Sequence, residues 1–147
     1  MDLKINKNKF KIFLEIAKIL NKFEIVPVLY GSLGLYCKIG EFGKSSDVDI
    51  LIPDNFLKEK WTDIIDFMES IGFKIINEKE HEFVREDEFV AFGHQEDLIK
   101  KCNIHKGDLE ERNIGGIKFK ELSPDQYLLV YNFMLRDKYR QEKREKK

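Results

Sequence analysis

Near the start of the chain, apolar side chains recur every three or four positions: Phe10, Phe13, Leu14, Ala17 and Leu20. This spacing predicts an amphipathic helix over roughly residues 8–22, with its apolar face against a sheet. Two short apolar runs follow, at 26–30 and 48–52, and each is typical of a buried strand. The chain therefore begins as a helix followed by strands.

Further elements follow from the rest of the pattern. Residues 73–76, 81–85 and 88–92 are predicted strands, and Glu86 with Asp87 forms the hairpin turn between the last two. Helices are predicted at about 32–39, from Pro53 to Gly72, and near 96–101.

The last part of the chain is predicted to form a turn between two short strands and then a long helix. Residues 113–117 contain two consecutive glycines, which favour the turn. Ser123 is suited to cap the final helix and Pro124 to occupy its first turn. Together these elements predict an α/β (α+β) fold with a mixed β-sheet flanked by helices.

Composition adds a domain count and limits the partners. The 147 residues are 42% hydrophobic and 36% charged, which indicates a single domain over residues 1–147, with a C-terminal helix and basic tail from about residue 123. The formal net charge of −1 argues against a nucleic-acid partner. An RNA or nucleotide contact through the basic tail remains an alternative to a solvated helix end.

No apolar stretch has the length of a membrane span, and the start of the chain lacks the apolar core of a signal peptide. We therefore expect no membrane partner and a cytoplasmic location.

Candidate chemistry centres on Asp47 and Asp49, at the start of the 48–52 run. Side chains alternate along a strand, so both carboxylates should project from the same face. Their repulsion would be relieved by a cation between them. Mg²⁺ binds through one or two carboxylates together with substrate phosphates, so this pair predicts a phosphoryl-transfer site with Mg²⁺; Mn²⁺ is the alternative cation.

A phosphate-binding turn is predicted at the end of the preceding strand. Gly31 has no Cβ, so its backbone can approach a ligand closely, and Ser32 supplies a hydroxyl. Backbone N–H groups at the start of a helix favour phosphate.

These residues resemble a known family. Leu29-Tyr30-Gly31-Ser32, a loop, and then Ser46-Asp47-Val48-Asp49-Ile50-Leu51 are similar to the signature of the DNA polymerase β-like nucleotidyltransferase superfamily. The similarity is greatest to small bacterial stand-alone nucleotidyltransferases, which include the minimal type and the aminoglycoside and lincosamide resistance enzymes. It covers about residues 26–53.

The resemblance implies a role for each residue. Gly31 and Ser32 would hold the triphosphate of ATP or another nucleoside triphosphate, with Lys44 and Ser46 as further nucleotide contacts. Asp47 and Asp49 would bind the metal and act in catalysis.

The resemblance also implies a third carboxylate from a later strand. The predicted strand at 88–92 has Ala91 at its centre, so Glu88 at its start is the candidate, with Glu82 on the preceding strand as the alternative. His94, just beyond this strand, is a further alternative base.

The leading prediction is Mg²⁺-dependent transfer of a nucleoside monophosphate from a nucleoside triphosphate to a hydroxyl of a small molecule or protein. One alternative is a catalytically weak or inactive nucleotide-binding or regulatory protein of the same fold, because the third carboxylate is not evident. Another is an antitoxin-like protein that binds or modifies a protein partner.

Overall fold

The structure is a computed structural model that describes residues 2–31 and 47–145, with side chains described for 8–31 and 47–136. The predicted helix at 32–39 lies outside these ranges.

Within them, the helices are α1 (Asp2–Lys22), α2 (Trp61–Ser70), α3 (Asp97–Cys102) and α4 (Pro124–Glu145). The strands are β1 (Val28–Tyr30), β2 (Val48–Ile52), β3 (Lys74–Asn77), β4 (Glu82–Arg85), β5 (Glu88–His94), β6 (Glu110–Ile114) and β7 (Ile117–Glu121). Short 3₁₀ turns occupy Asp54–Leu57 and Lys106–Asp108.

All of these strands join one sheet in the order β3-β4-β5-β2-β1-β7-β6. Strand β2 pairs in parallel with β5 and antiparallel with β1, and β1 pairs in parallel with β7. The remaining pairs are antiparallel hairpins. The predicted α+β fold with a mixed sheet is therefore confirmed, and β2 lies at its centre.

Each face of the sheet carries its own apolar core. On one face, Val48, Ile50 and Ile52 of β2 belong to a buried cluster with residues of α1 and α2. On the other, Leu51 of β2 clusters with buried residues of α3 and α4, among them Tyr127. Alternation along β2 therefore divides its side chains between two helical layers.

The predicted turns are confirmed. Glu86 and Asp87 connect β4 to β5, with Arg85 paired to Glu88. Gly115 and Gly116 connect β6 to β7 with φ of 58° and 90°, the left-handed pair that a tight hairpin requires. Two helices differ from their predicted bounds, because α1 begins at residue 2 and a 3₁₀ turn precedes α2.

Helix α4 begins as predicted and is attached to the centre of the sheet. Ser123 Oγ accepts a hydrogen bond from the backbone N–H of Gln126, whose side-chain oxygen accepts one from the N–H of Ser123. This reciprocal pair satisfies two donors at the start of the helix. The buried Tyr127 hydroxyl donates to the carbonyl of Leu29 at 2.9 Å. The helix therefore holds β1 by a direct polar contact.

In the described ranges, no helix has both the length and the apolar character that crossing a membrane requires.

We expect Tyr127→Phe to lower the free energy of unfolding by about 1–2 kcal/mol, because it removes a buried hydrogen bond and leaves a carbonyl less satisfied. Urea denaturation followed by circular dichroism measures this change. The control is Leu128→Ala on the exposed side of the same helix, which should stay within about 0.5 kcal/mol of the native protein. Equal stabilities of Tyr127→Phe and the native protein would contradict the assignment.

Candidate active site

Strand register brings four side chains into one row across the sheet. Tyr30 is paired with Asp49, Asp49 with Ala91, and Ala91 with Glu82. Directly paired residues project from the same face of a sheet, so this row faces the layer formed by α3 and α4. Ala91 separates Asp49 from Glu82 by one small side chain. Two carboxylates on different strands therefore approach one another above Ala91.

A cavity of about 500 Å³ lies over this row, and we call it the carboxylate cavity. Its acidic lining includes Asp47, Asp49 and Glu82, while Tyr131 and Met134 of α4 contribute to the opposite wall. The two aspartates at the start of β2 therefore open into the same space.

Gly31 lies against the Asp49 carboxyl group. Its φ is +69°, in the left-handed region that glycine adopts without steric cost. A Cβ added there would collide with the carboxylate, lying only 3.0 Å from Cγ of Asp49. Both the backbone conformation and the space therefore require glycine, and the backbone at the end of β1 comes directly against the acidic group.

Electrostatics at Asp49 show an excess of negative charge. The pKa of its carboxyl is raised to about 6, first by burial and then by the nearby carboxylates of Asp47 and Glu82, while Lys9 acts in the opposite direction. A raised pKa means that the ionised form is disfavoured where it stands. A bound cation would relieve this charge.

Lys9 is a residue of the site region that the sequence analysis missed. It lies on α1 with only 8% of its surface exposed, and its charge acts on Asp49. It precedes Phe13 by four residues and Ile16 by seven, so it occupies the apolar stripe of the helix. A lysine on the buried face of an amphipathic helix is the signal that could have revealed it, because buried ammonium groups need a partner.

The structure does not bring Glu88 to the site, and this expectation needs correction. Glu88 begins β5 opposite Arg85, and its charge acts on that arginine. Glu88 precedes Ala91 by three residues, an odd number, so the two side chains project from opposite faces of the strand. The hairpin register instead puts Glu82, the alternative, on the face of Asp49.

His94 is also engaged elsewhere. Its Nδ1 lies 2.8 Å from Oδ1 of Asp54, and its ring is 5.9 Å from that of His81. The backbone N–H of Asp54 donates to the Glu96 carboxylate at 3.0 Å. His94 therefore belongs to a polar cluster at the far end of β5. Ser32, Lys44 and Ser46 lie outside the described residues.

Asp47 and Asp49 are the side chains that could hold a cation together with a phosphate ligand. Among residues 8–31 and 47–136, no group of three or more His, Cys, Asp or Glu side chains could hold a metal ion. Mg²⁺ ordinarily keeps several waters and takes only one or two carboxylates, with substrate phosphates completing its shell. The Asp49 carboxyl is partly buried, and its pKa is raised by burial and by the neighbouring Asp47 carboxylate. This pair could therefore bind Mg²⁺ in that way.

The fold is similar to that of a solved nucleotidyltransferase. The solution structure of the antibiotic-resistance factor ANT(2'')-Ia matches with a TM-score of 0.57, covering 99% of this chain and 98% of that chain. The sequences are 14% identical, so this likeness establishes the fold alone. No protein-family model matches the chain.

A bacterial relative matches nearly the whole sequence. The protein named "Uncharacterized protein YnaI" from Bacillus subtilis (strain 168) is 39% identical over 136 residues. The match covers 92% of this chain and 87% of the relative. A likeness of this strength over most of both proteins shows that the chain belongs to the same family as YnaI.

Proposed function

We propose that the protein is a Mg²⁺-dependent nucleotidyltransferase that moves a nucleoside monophosphate from a nucleoside triphosphate to a hydroxyl of a small molecule or protein. The observation that carries the proposal is the set of carboxylates Asp47, Asp49 and Glu82 lining one cavity, with Gly31 against Asp49. The likeness of the fold to a nucleotidyltransferase supports the same chemistry.

In this proposal the phosphates bind at the end of β1. The close approach of the Gly31 backbone to Asp49 would put a triphosphate beside the metal ligands. Ser32, Lys44 and Ser46 remain predicted nucleotide contacts from the sequence. The cationic Lys9 adds positive charge from α1, since it already acts on the Asp49 carboxyl.

Asp47 and Asp49 are the proposed metal ligands. A bound Mg²⁺ would offset the phosphate charge and hold the attacking and leaving oxygens in line. Asp49 must be ionised to act as a ligand, and its raised pKa of about 6 leaves it ionised near neutral pH.

Glu82 is the proposed base. The hydroxyl oxygen of the acceptor attacks the α-phosphorus, and a new O–P bond forms. The bond from the α-phosphorus to the oxygen that bridges it to the β-phosphate breaks, and pyrophosphate leaves with that electron pair. The hydroxyl proton passes to the Glu82 carboxylate. Nucleoside triphosphate and alcohol thus give a phosphodiester and pyrophosphate.

The position of Glu82 also favours an enzyme over a regulatory nucleotide-binding protein. The regulatory alternative arose because Ala91 stands where an acid was expected. Glu82 lies on the same face of the neighbouring strand, so it would take the place of an acid at position 91.

We expect Asp47→Asn and Asp49→Asn each to weaken binding of Mg²⁺–ATP by at least about 10–100-fold. That is the loss seen when a residue that only supports a metal ligand is mutated, and removing the ligand itself should cost no less. Isothermal titration with and without Mg²⁺ measures the effect, which should shrink when the metal is omitted. Asp66→Asn, on the exposed side of α2, is the matched control and should bind like the native protein. Equal affinities in all four proteins would contradict the site.

We expect Asp49→Asn to raise the stability of the metal-free protein at pH 7.5 by about 1–3 kcal/mol, because each unit of pKa shift corresponds to about 1.4 kcal/mol. The pKa of Asp49 is about 6 in the folded protein and 3.8 in the absence of its surroundings. As the pH rises from about 4 to 6, the carboxyl ionises more readily in the unfolded chain, and the free energy of unfolding of the native protein falls. The advantage of the variant should therefore disappear near pH 4. Urea titrations at both pH values test this, and an advantage of equal size at both would refute the electrostatic explanation.

We expect Glu82→Gln to lower the rate of transfer by about 10²–10⁴-fold, as removal of a general base does, while Mg²⁺–ATP binding is retained. Labelled triphosphate is incubated with a panel of alcohols and proteins, and both product and pyrophosphate are measured. Glu88→Gln changes the same functional group on the opposite face and should retain the native rate.

Loss of activity in Glu88→Gln but not in Glu82→Gln would restore the assignment made from sequence. Tight Mg²⁺–ATP binding with no transfer by the native protein would favour the regulatory alternative.

A further inference from the structure

A second cavity of about 400 Å³ adjoins the carboxylate cavity, between the sheet and helices α3 and α4. The two share part of their lining: Tyr30, Leu51, Gly93, Val130 and Met134. We call the second space the apolar cavity. Its volume lies in the usual range of small-molecule sites, about 300–1,000 Å³. A molecule lying in it could therefore extend along the sheet to the carboxylates.

Small residues of β5 lie where the two cavities adjoin, and we call this region the passage between them. Ala91 and Gly93 project from the same face of the strand, and both line the carboxylate cavity. Gly93 has no left-handed φ, so its backbone does not require glycine. A Cβ there would lie 2.9 Å from Cδ2 of Leu51. Glycine at this position therefore leaves room for the Leu51 side chain and does not serve a special backbone conformation.

The lining of the apolar cavity carries no surplus charge among the described residues. Its aliphatic and aromatic walls come from Leu51, Leu98, Val130, Phe133 and Met134. Among the lining residues, Asp97 and Lys101 form an ion pair at 3.7 Å, and a third ionisable group, His94, is hydrogen-bonded to Asp54 at 2.8 Å. Burial raises the pKa of the Tyr30 phenol and of the Cys102 thiol, so both stay neutral near pH 7. Such a lining favours an uncharged, largely apolar occupant.

We propose that the apolar cavity holds the body of the acceptor, which is a neutral small molecule that combines an apolar group with a hydroxyl. The hydroxyl lies above Ala91, next to Glu82, while the apolar group extends past Gly93 between β5 and α4. This inference rests on the proposed function, because it specifies the substrate class of the same reaction.

Two other occupants fit the lining less well. A polycationic alcohol would need unpaired carboxylates, whereas Asp97, the one carboxylate among the described residues that line this cavity, is already paired with Lys101. A nucleobase is normally recognised by several hydrogen bonds to its edge, whereas these walls are mostly aliphatic and aromatic. Both remain outcomes that the experiment can reveal.

The experiment uses 2-(1-naphthyl)ethanol, a neutral fluorescent alcohol, as the probe. Its binding to the full chain is measured by fluorescence, with and without Mg²⁺–ATP. Gly93→Val fills the passage from the sheet, and Cys102→Phe fills the cavity from α3. Leu128→Phe is the matched control, since it adds an aromatic ring to an exposed position of α4 that lines neither cavity. Circular dichroism and thermal melting check that each variant folds.

We expect both filling variants to weaken probe binding by at least about tenfold, because extra methylene-sized groups in a pocket change affinity by about 10–200-fold. Cys102→Phe, whose side chain lines only the apolar cavity, should bind Mg²⁺–ATP like the native protein, and Leu128→Phe should match the native protein in both measurements. Saturating probe should also slow the labelling of Cys102 by N-ethylmaleimide in the native chain, read by mass spectrometry. This last measurement needs no variant, so it decides the matter even if a filling variant does not fold.

Native probe affinity in the folded filling variants, or unchanged labelling of Cys102, would overturn the proposal. Loss of Mg²⁺–ATP binding in Cys102→Phe would overturn it in favour of a nucleobase. Faster transfer to the polycationic alcohol kanamycin than to the probe would also overturn it. Failure of the proposed function gives a different result. In that case Asp49→Asn binds Mg²⁺–ATP as tightly as the native protein, whether or not the probe binds.

Discussion

The register of β2 is the constraint on which the rest of the structure depends. This strand lies at the centre of the sheet, with a helical layer on each face, so its even-numbered side chains complete one core and its odd-numbered ones face the other. A shift of one residue would drive Asp49 into the apolar cluster with α1 and α2, and would turn Ile50 toward the carboxylate cavity. The packing of Val48, Ile50 and Ile52 therefore fixes where Asp49 projects.

That packing places a carboxyl group where its charged form is disfavoured. Asp49 is crowded by Asp47, Glu82 and the backbone of Gly31, and Lys9 compensates only in part. A local feature that costs stability, such as a partly buried acid among other acids, is expected where a protein binds a ligand rather than where it merely packs. The rest of the fold offsets this cost through two apolar cores.

Helix α4 connects the stability of the fold to the chemistry of the site. Its first turn is capped by Ser123 and Gln126, and Tyr127 reaches through the layer to the carbonyl of Leu29 on β1. One and two turns later, respectively, Val130 and Met134 help to line both the carboxylate cavity and the apolar cavity. The same helix therefore holds the strand that precedes Gly31 and shapes the space beside it.

The sequence by itself determined the type of most elements, the common face of Asp47 and Asp49, and the hairpin at Glu86 and Asp87, because local periodicity and turn chemistry depend on neighbours in the chain. A two-residue turn after Arg85 even implies that Glu82 pairs with Ala91. Only the tertiary structure decided that β5 lies beside β2 with Ala91 opposite Asp49, which brings Glu82 to the carboxylate row and leaves Glu88 on the other face. It also decided the approach of Lys9 and the presence of the apolar cavity. These features depend on lateral pairing and packing of segments far apart in the chain, and no local pattern specifies which strand lies next to which.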